Sequence, residues 1–302
     1  MDTIRIGTRD SKLALWQAEK VKSLLEAEGQ TCQLVPLKSA GDIDLKTPLN
    51  QFGGTGIFTK ILDDALLEDR IDIAVHSMKD YPTQAPAGIR IQAVLERAEA
   101  DDILVHKGHT DFGAEKAIIA TGSIRRIAQW KSKYPQHECT NLRGNVQTRL
   151  AKLEANPWQG AIFAKAGLAR LGLLPENYLE LDWMIPAPAQ GIIAITCLEH
   201  DGETQKILDQ INHKPTAIRA KVERDFLRKV EGGCSAPVGA YSEIKGEQIH
   251  LIAGIFSIDG QKKVTLEKSV TLSEAIELGS ACATEALANG GAAIMESLKN
   301  EK

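Results

Sequence analysis

The sequence contains no CxxC pair, and its five cysteines (Cys32, Cys139, Cys197, Cys234 and Cys282) are odd in number and widely scattered. That excludes a disulfide framework and a cysteine-held zinc site, and it points to a reducing cytoplasmic compartment. The seven histidines show no metal-ligand spacing, so no protein-bound metal is expected. No apolar run reaches the length of a membrane span. The N-terminus runs Met1-Asp2-Thr3-Ile4-Arg5 straight into an apolar alternation, so no signal peptide is expected. A large charge excess is also missing. A formal charge of −4 over 302 residues gives no reason to expect nucleic acid or an anionic membrane as partner. Anion binding, if any, has to come from local clusters. There is no repeat of solenoid period and no low-complexity tract.

What is present is an ordinary globular composition, 43% apolar and 25% charged, on a chain long enough for two or three domains. Ile4 to Thr8 alternates like a strand, and Ser11 caps a helix running to about Glu28. Gln33 to Leu37 is the next strand. Residues 41–60 are polar and Gly-rich, which suits a binding loop or lid over about 42–58, or else a disordered stretch. Ile61 to Leu67 is helical in pattern, and Ile71 to Val75 is a buried strand ending at His76-Ser77-Met78-Lys79-Asp80. The unit restarts after Glu99-Ala100-Asp101-Asp102. Ala117–Ala120, Glu138–Leu142 and Gly160–Ala164 read as strands, with helices at Ile124–Tyr134 and Asn145–Glu154. This alternation predicts parallel sheets of βαβ units. Pro186 to Gly191 is a linker, and Ile192 to Ile195 a further strand. The last ninety residues differ: three antiparallel strands (Pro237–Tyr241, His250–Phe256, Lys263–Ser269) turn at Lys245-Gly246 and Asp259-Gly260. A helix over Leu272–Leu287 then places Ala275, Leu278, Cys282 and Ala286 on one face.

The chemistry-bearing residues gather at the turns. Arg125 and Arg126 fall in the first turn of a helix, where the macrodipole disfavours cations. Beside Ser123 and the free N–H groups of that turn they make an anion site, since guanidinium grips carboxylate or phosphate bidentately. Arg9 before Ser11, and Arg143 and Arg149 around Leu142-Arg143-Gly144-Asn145, repeat the arrangement at strand carboxyl ends. Any one of them alone reads first as a solvated surface arginine; it is the set of them at equivalent βα turns that favours anion binding. Asp80, also at a strand end, is either a turn or capping residue or a general acid/base. Cys234 sits in Gly232-Gly233-Cys234-Ser235-Ala236-Pro237 after a helical run. Either the loop presents a thiol, with two glycines for close approach and a proline to stiffen the exit, or it is a turn carrying an incidental small apolar residue.

Together these blocks resemble the porphobilinogen deaminase (hydroxymethylbilane synthase) family, from Ile4 to about Leu298. The likeness is carried by Thr8-Arg9-Asp10-Ser11 with Leu13 to Gln17, by Ala74 to Asp80, and by Ser123 to Arg126. It continues through Leu142 to Asn145 with Thr148-Arg149-Leu150, Ala166-Gly167-Leu168 with Arg170-Leu171-Gly172, and Glu223-Arg224 through Cys234 and Pro237. The resemblance implies an α/β fold with two periplasmic-binding-protein-like domains, the first discontinuous (1–96 and 189–213, then 97–188). A small C-terminal α+β domain with a three-stranded antiparallel sheet (214–302) follows. It implies a dipyrromethane cofactor joined to Cys234 through a thioether. On that primer four porphobilinogen molecules are added head to tail with loss of ammonia, and water releases hydroxymethylbilane for heme and porphyrin biosynthesis. Asp80 matches the catalytic aspartate. Ser11, Lys79, Asp80, Thr121 and Ser123 match cofactor contacts, as do Arg125, Arg126, Arg143 and Gly144. Arg9, Ser11, Arg149, Arg170 and Gln190 match substrate contacts. The implied protein is a cytoplasmic monomer without metal, nucleic acid or membrane.

Six positions depart from the family pattern. Thr55 stands for a frequent Lys, Ile61 for Glu, Gly122 for Ser, Ala189 for Gly, Ala236 for a β-branched residue and Asp101 for Arg. Two rival readings remain. A cytosolic relative of periplasmic solute binders would share the sheets and arginines without needing Cys234 or Asp80. A hydrolase using Cys234 as nucleophile would need a histidine base, and His76 is the only histidine in a plausible cleft segment.

Overall fold

The computed structural model describes residues 3–38, 59–108, 112, 116–230 and 236–300. The expected lid at 42–58 and the expected cofactor cysteine Cys234 lie outside the described residues. The chain begins with β1 (Ile4–Arg9), α1 (Lys12–Ala27), β2 (Cys32–Leu37), α2 (Lys60–Leu67), β3 (Ile73–Ser77) and β4 (Ile89–Val94). It continues through β5 (Asp102–His106), β6 (Ile118–Ala120), α3 (Ile124–Lys133), β7 (Glu138–Thr140), α4 (Val146–Ala155), β8 (Gly160–Ala164), α5 (Lys165–Arg170) and β9 (Tyr178–Glu180). After β10 (Ile193–Leu198) come α6 (Gly202–Gln210), α7 (Lys214–Lys229), β11 (Val238–Lys245), β12 (Gln248–Phe256), β13 (Lys263–Thr271), α8 (Ala275–Ala286) and α9 (Ala292–Asn300).

By its contacts the chain falls into two compact units: residues up to 98 with 191–217, and residues 99–190 with those from 218 onward. The first is built on a five-stranded sheet of order β2-β1-β3-β10-β4. Helix α1 forms because Ser11 Oγ accepts the Ala14 N–H at 3.3 Å and because Ala14, Ala18, Val21 and Leu25 recur on one buried face. It stops where Gly29 takes φ +83°, the left-handed geometry that ends helices. Val21 and Leu25 pack with Ile4, Ile6, Val75 and Ile195 on one side of the sheet. Leu62 and Leu66 of α2 pack with Ile71 and Ile89 on the other.

The second unit holds a sheet of order β7-β6-β8-β5-β9 and the three-stranded sheet β11-β12-β13. Strand alternation feeds both faces of the larger sheet. Ile103, Val105 and Phe163 join Leu153 and Leu168 on one side; Leu104 and Ile162 join Trp130 on the other. The C-terminal strands pair antiparallel throughout, with Gly246 at φ +61° and Gly260 at φ +76° in the turns. Ala275, Leu278, Cys282 and Ala286 are all buried against this sheet, so Cys282 is a core residue as its helical spacing predicts.

One expectation is corrected. The larger sheets are mixed, not parallel: β10 runs antiparallel to both β3 and β4, and β5 to both β8 and β9. Each of these strands follows a crossing of the chain from one unit to the other, so its direction is set by where the chain returns and not by a βα turn. Ser123 occupies the N-cap position of α3, but its side chain makes no capping hydrogen bond. No helix among the described residues is long and apolar enough to cross a membrane.

Candidate functional site

In the first unit the site residues lie where β1 and β3 end. Arg9 is the last residue of β1 and Ser11 caps α1. Thr8, fully buried, donates its hydroxyl to Ala14 O at 3.0 Å and ties the strand end to the helix. After β3 a single 3₁₀ turn carries Met78, Lys79 and Asp80. Its ends are pinned: the Met78 N–H donates to Ile192 O at 3.0 Å and the Tyr81 N–H to Met78 O at 3.2 Å. The Met78 and Tyr81 side chains are buried. Between these anchors Asp80 is exposed, and its carboxylate makes no hydrogen bond or ion pair to a described residue. The pinned turn thus presents an exposed carboxylate that no described residue engages. His76 is buried, with Nε2 3.1 Å from Thr196 Oγ1. Burial, with the Arg9 charge adding to it, pushes its imidazole down to about 3. It is a neutral core histidine and not a base poised for a thiol.

In the second unit the site residues follow β6, β7 and β8. Thr121 is buried and its Oγ1 accepts the Ser123 N–H at 3.3 Å. A Cβ on Gly122 would stand 2.8 Å from Leu142 O, so the two βα turns approach too closely for the serine usual in the family. Gly144 takes φ +116°. Its carbonyl accepts Arg149 Nε at 2.7 Å, while Asn145 caps α4 by accepting the Thr148 N–H at 2.9 Å. Arg143 is buried, and Lys152 Nζ holds its carbonyl at 3.0 Å. Arg170 ends α5, and burial pushes its guanidinium down to about 10, still charged at neutral pH.

Arg125 and Arg126 are not surface residues. They are 4% and 6% exposed, around the fully buried Asp102. Arg126 donates from Nε and Nη2 to Asp102 Oδ1 at 3.1 and 2.8 Å, and from Nη1 to Ile162 O at 2.8 Å. Arg125 Nη1 donates to Ile185 O at 2.7 Å and forms an ion pair of 2.7 Å with Asp102 Oδ2. Gln190 Nε2 reaches Asp102 Oδ1 at 2.9 Å and also Ala100 O. Burial alone would push the Asp102 carboxyl up. The Arg125 and Arg126 charges and the Gln190 hydrogen bond outweigh it and hold the group well below the usual carboxylate range. Part of the anion-gripping capacity expected of these arginines is therefore met from within the chain.

Sequence reasoning missed two residues. Asp102 was hidden in an acidic stretch; the signal was a charge heading the apolar run Ile103-Leu104-Val105. Glu223 carries no signal of its own in the sequence beyond its place in the Glu223-Arg224 block. It is fully buried, and its Oε2 accepts the Ala189 N–H while its Oε1 accepts the Ser242 N–H and hydroxyl, all at 2.7 Å. Ala189 stands at φ +61°, so this carboxylate holds a strained linker residue in place.

A polycarboxylate pyrrole cofactor fits such residues. Two guanidinium cations against one carboxylate leave one positive charge in the Asp102 cluster. Arg125 Nε is buried there without a hydrogen-bond partner among the described residues. Such a donor and charge call for an external anion. The four described cysteines are poor alternatives as attachment points: burial raises the Cys32 and Cys282 thiols and pushes those of Cys139 and Cys197 up to about 11.

The chain is similar to known proteins along nearly its whole length. Residues 4–206 match the family model "Porphobilinogen deaminase, dipyromethane cofactor binding domain", and residues 217–288 match "Porphobilinogen deaminase, C-terminal domain". The porphobilinogen deaminase of Syntrophomonas wolfei is 40% identical, covering 98% of each chain. That of Geotalea uraniireducens is 41% identical over 98% of this chain and 94% of its own. Solved structures similar to this one include the BvgS periplasmic VFT2 domain of Bordetella pertussis, at 11% identity over 70% of this chain and 86% of that one, with a TM-score of 0.43. With both family models matched in order along one chain, and relatives aligned over nearly all of it, the protein belongs to the porphobilinogen deaminase family.

Proposed function

We propose a division of labour among the residues of this transferase. The reaction is the family's: porphobilinogen molecules are polymerised head to tail on a dipyrromethane primer, with release of ammonia, in tetrapyrrole biosynthesis. The proposal concerns which residues carry it. Cys234 holds the primer through a thioether, and the primer when bound supplies the pyrrole carbon to which the next unit is joined. Asp80 is the catalytic group. Loss of ammonia from porphobilinogen leaves a cationic azafulvene, and a carboxylate beside it stabilises the charge and accepts pyrrole N–H hydrogen bonds. The observation that carries this role is the Asp80 carboxylate itself, exposed and unspent on a turn pinned at both ends.

Ser11, Lys79, Thr121, Ser123, Arg125, Arg126, Arg143 and Gly144 bind the cofactor. Arg9, Arg149, Arg170 and Gln190 bind incoming substrate, with Ser11 serving both. Acetate and propionate groups on every pyrrole give the arginines their targets. We read the second unit as two domains, 97–188 and 214–302, with 1–96 and 189–213 forming the first. We place the protein in the cytoplasm as a monomer; the scattered cysteines, odd in number, support the compartment. Against the rival hydrolase stands a buried, neutral His76 occupied with Thr196.

Intact mass and turnover test the assignment together. Wild-type protein should be heavier than its sequence by two pyrrole units, and Cys234→Ser should lose that mass and all activity. Asp80→Asn should keep the mass and lose at least about a hundredfold in turnover. An unmodified, active wild type removes the Cys234 assignment, and near-normal turnover of Asp80→Asn removes the Asp80 assignment.

A further inference from the structure

Arg125 and Arg126 are neighbours in sequence and equally buried, yet they are committed differently. Arg126 spends all three of its nitrogens inside the protein, on Asp102 Oδ1 and Ile162 O. Arg125 donates Nη1 to Ile185 O and stands 2.7 Å from Asp102 Oδ2 as an ion pair without hydrogen-bond geometry, and its Nε remains buried and unpartnered among the described residues. The Ile185 end is braced in turn: Gln129 donates Nε2 to Ile185 O at 2.9 Å and accepts the Ile185 N–H at 2.8 Å. The Asp102 end is braced by Gln190. With three donors on Oδ1 and the Arg125 ion pair on Oδ2, the carboxylate has no freedom to turn.

We infer that Asp102 is a positioning residue of the anion site, holding Arg126 as a fixed strut and leaving the Arg125 Nε–H, with one uncompensated positive charge, for a single external carboxylate. The inference rests on the reading that Arg125 meets a carboxylate of cofactor or substrate. It adds that the two arginines are not equivalent and that Asp102 makes them so. The electrostatics support this. Two buried guanidinium groups side by side repel, and without a counter-charge neither is stably placed. One carboxylate cancels one charge and leaves the other to attract an anion. The anion then also satisfies a buried donor whose desolvation is otherwise uncompensated. A tie that served folding alone would more naturally pair both arginines fully.

The test uses full-length protein from cells and reads thermal melting, intact mass and KM for porphobilinogen. Asp102→Asn keeps the shape and raises the cluster charge by one. It should melt cooperatively, but should lose the two-pyrrole mass from most molecules or raise KM by about tenfold or more, as expected for one misplaced charge-assisted contact. Charge rescue then discriminates. Asp102→Asn combined with Arg126→Gln restores a single positive charge and should regain the cofactor mass; Asp102→Asn combined with Arg125→Gln should not. Equal behaviour of the two double variants, or wild-type mass and KM for Asp102→Asn, overturns the proposal. If Asp102→Asn does not melt cooperatively, Asp102→Glu decides. It keeps the charge but displaces both guanidinium groups by a methylene, so a raised KM supports positioning and an unchanged KM overturns it. Arg125→Gln separates the two levels. Wild-type mass and KM for that variant would remove the underlying reading, whereas impairment of Arg125→Gln without impairment of Asp102→Asn would remove the Asp102 proposal alone.

Discussion

Ala189 is one of two described non-glycine residues with positive φ, and it sits in the linker between two prolines and Gly191. An L side chain in that region costs about 1–2 kcal/mol. The Glu223 carboxylate, bound to its N–H at 2.7 Å, helps hold it there. Ala189→Gly should therefore stabilise the protein. The relief is reduced by the greater unfolded-state freedom of glycine, which leaves a gain of roughly 0.5–1 kcal/mol, read as a higher melting temperature at unchanged turnover. His76 makes the opposite kind of statement. Its folded imidazole, held down at about 3 by burial and then by Arg9, titrates below its unfolded value near 6.5. The stability it contributes is present above about 6.5 and is lost as pH falls toward 3, amounting to roughly 2 kcal/mol by pH 5. Asp63 works against this. Burial pushes its carboxyl up to about 6, so its protonation favours the fold as pH drops from about 6 toward its unfolded range. His76→Gln should flatten the acid limb of a stability–pH curve between pH 6.5 and 4, and Asp63→Asn should steepen it. Parallel curves for wild type and His76→Gln would mean that His76 does not titrate as burial requires.

Elements were legible where their cause is local. α1 was readable from Ser11 and the spacing of its apolar face, and the C-terminal strands from alternation and from glycines at their turns. α8 shows the same, and its glycine has a further role. A Cβ on Gly279 would come within 2.1 Å of Val222 O on α7, so the two helices cross with no room for a side chain. Gly279→Ala should destabilise by about 1–3 kcal/mol through overpacking, lowering the denaturant midpoint at unchanged slope. A midpoint within error of wild type would mean the crossing can open at no cost. What was not legible is what distance decides. β5 opens with the buried charge of Asp102, which only makes sense once Arg125, Arg126 and Gln190 are folded around it. β9 has three residues and α5 has six, too few for a period to show. The antiparallel placement of β5 and β10 depends on where the chain re-enters a sheet. The site followed the same rule. Arginines at helix starts announced themselves because helix physics disfavours them there, but their partner lies 23 or 24 residues away and looked like a solvated acid.

At the scale of the molecule, the chain passes between its two units at 98/99, at 190/191 and at 217/218, and each five-stranded sheet takes a strand from just beyond one of the first two crossings. The proposed contacts to the cofactor differ in kind between the units. The first offers the solvated carboxylate of Asp80, which loses little when nothing is bound. The second offers buried guanidinium groups with one charge in excess and a buried Nε–H without a partner. Leaving a buried donor unsatisfied costs about 1–3 kcal/mol, and more when the group is charged, so the second unit should bear most of the loss when the cofactor is absent. Hydrogen exchange can read this segment by segment, because local opening reports local stability. Cys234→Ser protein, compared with wild type, should lose protection chiefly in β6, α3 and β8, with smaller changes in β1 and α1. Adding Arg125→Gln to Cys234→Ser should shrink the difference, because it removes the uncompensated charge. Equal loss in both units, or no effect of the added Arg125→Gln, would show that the cofactor stabilises the fold by burying its rings and not by answering a stored charge.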